Sequence, residues 1–299
     1  MPESHQVNFT TQLKIFKRKL SKPDGAKKNR LVLIIMSNTH DPELRRGCLK
    51  DAAAIKNIFQ NLCNETLYNF YCIEISGNNY NRKNLDKAIK STVLKTDVTV
   101  FYFSGHGFRY AKDRGNKYPQ IDMRTHNNKP DFNDLNFIES NTYNLAVILA
   151  FMRFNGSRVN IAIADCCNTT IPDYRKKGSI KEMNVANGVL PPISKSLTKK
   201  MFTDPNKAIS ILVSSSVQGQ PAIADPAIGS LFTYHFTETI KTVLAKELET
   251  KKHIPWVKVL NATAAKAFRK SKTYDISNGN GIAGKQKAVF EVFIDNSKI

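Results

Sequence analysis

Val98-Thr99-Val100-Phe101-Tyr102-Phe103-Ser104-Gly105-His106-Gly107 is a β-branched and aromatic run that stops at a histidine between two glycines. A second run, Val159-Asn160-Ile161-Ala162-Ile163-Ala164-Asp165-Cys166-Cys167, stops at an acid followed by two cysteines. Apolar runs of this length, closed by turn residues, read as buried strands. If the two strands are parallel neighbours, an imidazole and a thiol leave the same sheet edge together. Imidazole can take the thiol proton and stabilise the thiolate, which makes cysteine a nucleophile.

Working outward, strand-like and helix-like segments alternate. Strands are predicted at 31–37, 70–75, 98–103, 159–164, 209–214 and 288–294, and helices at 49–62, 84–94, 144–154, 231–248 and 256–268. In the first helix Ala52, Ile55, Ile58, Phe59 and Leu62 fall at helical spacing. Such alternation implies a mostly parallel sheet of about six strands covered by helices on both faces. Ligand sites in these sheets lie beyond the carboxyl ends of the strands, where His106 and Cys167 stand.

Two stretches, 110–142 and 169–207, show neither period. The second carries Pro172, Pro191 and Pro192 with basic residues such as Arg175, Lys177 and Lys200. Long aperiodic segments inside a compact unit are functional or disordered. Residues 1–29 are basic, broken by Pro23 and Gly25, with a short amphipathic helix at 9–20. The organisation expected is a basic segment 1–29 and one α/β unit 30–299. That unit divides into 30–170, a connecting loop 171–207, and 208–299.

A chain of 299 residues with 41% hydrophobic composition can bury a full core. No apolar run approaches the roughly 18 residues of a membrane span, and the N-terminus lacks a hydrophobic signal core. The five cysteines form neither a disulfide framework nor a paired metal knuckle. A reducing, cytoplasmic setting is therefore expected. The formal charge of +20 draws the protein towards anionic partners, but the lysines are spread along the chain and no nucleic-acid motif accompanies them.

The order strand-Ser-Gly-His-Gly, then strand-Asp-x-Cys, resembles the caspase-like cysteine peptidases, and within them the metacaspase branch. Arg46-Gly47-Cys48-Leu49-Lys50-Asp51-Ala52 is similar to the family's Gly-Cys-x-x-Asp-Ala segment. The stretch from Ser214 to Ala222, followed by Gly229-Ser230-Leu231-Phe232-Thr233, resembles the family's small-subunit half. Several motifs in one order are a far more specific signal than any one alone. The resemblance implies an α/β/α sandwich and a cysteine endopeptidase, with Cys167 as nucleophile and His106 as its acid/base partner. It also implies an oxyanion hole from the Gly107 and Cys167 amides. Cys166, one residue earlier on an extended chain, points the opposite way and reads as core, as do Cys63 and Cys72. Where family members follow the nucleophile with His-Ser-Gly, this chain has Asn168-Thr169-Thr170.

The resemblance places Cys48, Asp51, Ser104 and Asp165 around the pocket for the residue before the scissile bond. Two desolvated carboxylates suit a cation, so cleavage after Arg or Lys is expected, with Asp165 serving the ligand rather than the fold. Arg45 argues the other way, matching a position where true caspases bind a substrate Asp. Self-cleavage is expected in 169–207. No cofactor is required. Calcium, which many metacaspases bind, stays open, with Asp173 and Asp122 as candidate ligands and Asp131 and Asp134 as possible others. The competing reading is a catalytically silent fold acting as a basic scaffold. An intact dyad with an acidic pocket favours the enzyme.

Overall fold

Alternate residues of the central strands enter two different cores, and this period of two builds the architecture. A computed structural model describes residues 30–66, 68–92, 98–110, 115–124, 135–170, 208–225, 227–246, 256–274 and 284–295. The segments 1–29 and 171–207, with Asp131, Asp134, Asp173 and the basic residues expected to be cut, lie outside them. One sheet holds β1 (Arg30–Ser37), β2 (Asn69–Ile75), β3 (Val98–Ser104), β7 (Val159–Asp165), β8 (Ala208–Ser214) and β11 (Val289–Asp295). Its spatial order is β11-β8-β7-β3-β1-β2, and only β11 runs antiparallel to its neighbour. The expected six-stranded, mostly parallel α/β/α sandwich is therefore the fold.

On one face Leu31, Leu33, Val100, Tyr102, Ile161 and Val213 pack under α1 (Pro42–Thr66), α5 (Leu231–Lys246) and α6 (Trp256–Ser271). On the other, Val32, Ile34, Phe101, Phe103, Ala162 and Leu212 pack under α2 (Arg82–Lys90) and α4 (Leu145–Phe154). β1, β3 and β7 are buried along nearly their whole length, which is why they read as continuous apolar runs. α1 begins seven residues before the predicted helix, because Pro42 fits a first helical turn that needs no amide donor.

The stretch 110–142, expected to lack regular structure, supplies the central strand of a small sheet. β5 (Gln120–Asp122) pairs antiparallel with both β4 (Gly107–Phe108) and β6 (Thr142–Asn144), and α3 (Leu135–Ser140) leads into β6. Its Ile121 and Tyr143 join the second core. Strands of two or three residues are too short to show a period. A last pair, β9 (Ala224–Asp225) with β10 (Gly229–Ser230), leads into α5. Among the described residues no helix is long and apolar enough to cross a membrane.

Candidate active site

The register of β3 against β7 sets the site. Ser104 is level with Asp165, and the two chains stay parallel beyond the sheet. Arg109 N–H donates to the Thr169 carbonyl at 2.9 Å, and Arg109 bridges Thr170. His106 and Cys167 therefore leave adjacent strands at matching positions.

Glycine is needed on both sides of the histidine for a steric reason. A Cβ on Gly105 would stand 2.8 Å from Asn38 Cβ and 2.9 Å from the Phe103 ring. A Cβ on Gly107 would stand 2.6 Å from the Cys167 carbonyl oxygen and would overlap the Cys166 sulfur. The turn can press this closely onto the Cys166–Cys167 backbone only without side chains. Gly107 and Cys167, expected to supply the oxyanion amides, are thereby brought together.

The vicinal cysteines face opposite ways. Cys166 is buried in the second core, and burial pushes its thiol well above the ordinary range. Cys167 is partly exposed, and the Ala222 N–H donates to its sulfur at 3.4 Å. Cys63 is buried in the first core, and Cys72 is partly buried against it.

His106 has a partner that the sequence reading missed. Its Nε2 lies 2.6 Å from Asp41 Oδ2, and the Asp41 side chain is only 5% exposed. Asp41 is also the cap of α1. Its carbonyl accepts the N–H groups of Leu44 and Arg45, and its Oδ1 accepts the Glu43 N–H at 2.9 Å. The Asp-Pro-Glu order at 41–43 is a helix-start signal. The contact itself spans 65 residues and leaves no local trace.

Cys48, Asp51, Ser104 and Asp165 are all buried and lie close to one another. Asp51 Oδ1 accepts the Ser230 N–H at 2.8 Å, and its Oδ2 accepts hydroxyl bonds from Ser104 at 2.7 Å and Ser230 at 2.6 Å. Asp165 Oδ2 accepts the Thr233 N–H at 3.0 Å and its hydroxyl at 2.6 Å. Asp165 Oδ1 is buried beside the Ser215 hydroxyl. Ser230 and Thr233 open α5, so both acids satisfy the unpaired donors of that helix's first turn. The expectation that Asp165 serves a ligand and not the fold is corrected by these bonds. Burial raises both carboxylates above their ordinary range, and the charge of Asp51 raises Asp165 further. Burial likewise pushes the Cys48 thiol up to about 12. At Gly229 the backbone is left-handed, with φ +84°, and a Cβ would run into the Asp51 carboxylate.

Asn168 follows Cys167, where His-Ser-Gly was expected from the resemblance to begin. Its side-chain amide donates to the Lys117 carbonyl at 2.9 Å and the Ser216 carbonyl at 3.3 Å. Its backbone exchanges bonds with Gln220 and Gly219. The turn is thus tied down by hydrogen bonds, with no need for glycine flexibility. Arg45 is exposed and donates from Nε to the Thr39 carbonyl at 2.8 Å.

Asp122 does not fit the calcium role. Arg124 grips both of its oxygens, Nε to Oδ1 at 2.8 Å and Nη2 to Oδ2 at 2.5 Å, inside the protein. A cation would have to displace a bidentate guanidinium. Among the described residues no group of three or more His, Cys, Asp or Glu side chains could hold a metal ion.

A family model described as the caspase domain matches residues 29–270. Among curated proteins no significant match is found. The family model spans most of the chain, from just before β1 to the end of α6, and the protein belongs to the caspase-domain family of cysteine peptidases.

Proposed function

We propose that the protein is a metacaspase-like cysteine endopeptidase that cleaves peptide bonds after Arg or Lys. The observation that carries this reading is the shared β3–β7 register, which brings His106 and Cys167 to one sheet edge above two buried carboxylates. His106 takes the thiol proton and Cys167 sulfur attacks the scissile carbonyl, breaking its π bond and placing the electron pair on oxygen. The Gly107 and Cys167 amides hold that oxyanion. His106 then returns the proton to the leaving amine, and water hydrolyses the acyl-enzyme. The cationic side chain of the substrate is drawn to the Asp51 and Asp165 pair, chiefly to Asp165 Oδ1, which no backbone donor occupies. The segment 171–207 offers basic residues that the same site would accept, so self-cleavage there belongs to the reading.

Labelling with a peptide chloromethyl ketone tests it directly. A reagent ending in Arg should alkylate Cys167, and a matched reagent ending in Asp should not. Absence of labelling at Cys167 by the Arg reagent would favour a silent fold. Faster labelling by the Asp reagent would move the specificity to the Arg45 side.

A further inference from the structure

We infer that Asp41 is a positioning residue that turns the Cys167–His106 dyad into a triad. The inference rests on the reading of those two residues as nucleophile and base, and it is independent of what the substrate pocket prefers.

The argument begins with how the carboxylate is held. Pro42 occupies the first turn of α1, where a missing amide proton costs nothing. Asp41 is therefore the cap, and its carbonyl and Oδ1 are engaged by Leu44, Arg45 and Glu43 of that turn. These bonds fix the plane of the carboxylate, and Oδ2 reaches His106 Nε2 at 2.6 Å. A helix N-terminus favours a negative charge at its cap. Nearby charged groups among the described residues have settings of their own. Arg45 is turned to Thr39, Glu43 is exposed, and the Asp122 carboxylate behind the His106 loop is gripped by Arg124.

An ionised carboxylate only accepts hydrogen bonds. Nε2 must therefore carry the ring proton, and Nδ1 keeps its lone pair. Nδ1 is the nitrogen left to take the proton from Cys167. In that step the S–H bond breaks, an N–H bond forms on Nδ1, and the electron pair stays on sulfur. The ring becomes imidazolium, and Asp41 stabilises its charge without accepting a proton.

A cap and an orienting acid make different demands, so substitutions separate them. Asn and Ser cap helices nearly as well as Asp but carry no charge. In Asp41→Asn one amide group cannot serve both neighbours. With Oδ1 on the Glu43 N–H, the amide presents a donor to Nε2 and forces the wrong tautomer. The experiment compares the full chain with Asp41→Asn and Asp41→Ser. The rate of Cys167 alkylation by iodoacetamide is followed against pH by peptide mass spectrometry, with kcat and KM on an Arg peptide measured alongside. Both variants should keep the parent's thermal midpoint closely. In both, kcat should fall by roughly 10²–10⁴-fold with little change in KM, the range that general acid–base catalysis is worth. The alkylation midpoint of Cys167 should move to higher pH, because the imidazolium partner of the thiolate is weakened. Alkylation profiles that superimpose on the parent's in both variants would overturn the inference and leave Asp41 a helix cap. If the parent cleaves no Arg or Lys peptide, the alkylation midpoints still decide the triad, while only the substrate reading fails.

Discussion

Asp41 and Asp165 are both buried acids at the start of a helix, yet their oxygens are used differently. Asp41 caps its own helix with Oδ1 and sends Oδ2 to His106. Asp165 gives Oδ2 to both donors of Thr233, on a helix that begins 66 residues later in the chain, and buries Oδ1 beside Ser215. The first acid lies beside a partly exposed ring, that of His106. The second lies in the sheet's interior, with Asp51 close enough to raise it further. On the proposed reading, the same functional group serves as an orienting acid in one place and as an anionic floor in the other, according to which acceptor site the local backbone leaves over.

The largest effect that would break this comparison comes from the two cysteines that follow Asp165. Cys167→Ala should abolish peptide hydrolysis, while Cys166→Ala should retain most of it at some cost in stability, since a small buried group is lost. A dead Cys166 variant beside an active Cys167 variant would reverse the assignment. His106→Ala should be as inactive as Cys167→Ala, because the thiol loses its base.

Next in size is the floor. Asp165→Asn should lower kcat/KM on an Arg peptide by at least about tenfold, since truncating one partner of a desolvated charge pair costs on the order of 2–5 kcal/mol. It should also lower stability by roughly 1–3 kcal/mol, because a buried donor of the α5 turn loses acceptor strength. Asp51→Asn should destabilise more, having three donors to satisfy. Calorimetry and kinetics on the two variants rank them. A variant with full stability and full activity would remove that acid from both roles.

The smallest effect is a divergence with pH. A carboxylate raised by burial binds its proton in the folded chain before the unfolded one does. The fold therefore gains stability from Asp51 and Asp165 as pH falls from above their raised values towards the ordinary carboxylate range near ~4. Turnover of Arg substrates needs the anionic pair and should fall over the same interval. Thermal midpoint and kcat/KM recorded from mildly alkaline to mildly acidic buffer should move in opposite directions. Parallel loss of both would show that another group controls the limb.

How much of this could be read from the chain varied with the length of the signal. β1, β3 and β7 are buried on both faces, so their apolar runs announce themselves, and abrupt polar ends single out His106 and Cys167. The small sheet around β5 escaped because each strand has only two or three residues. Asp41 carries a cap signal, but no local pattern says which way its second oxygen faces. The bonds from Asp51 and Asp165 to Ser230 and Thr233 join the chain's two halves, and only the folded register discloses them.

Those bonds have a consequence for a severed chain. Asp51 and Asp165 lie before the segment 171–207, while Ser230 and Thr233 lie after it. The β7–β8 ladder likewise joins one side to the other. A nick anywhere in that segment leaves the ladder, the helix clasp and both acids in place. Two such fragments would be held together by non-covalent bonds that include those of Asp51 and Asp165, the same two acids that the proposed function assigns to the substrate's cation.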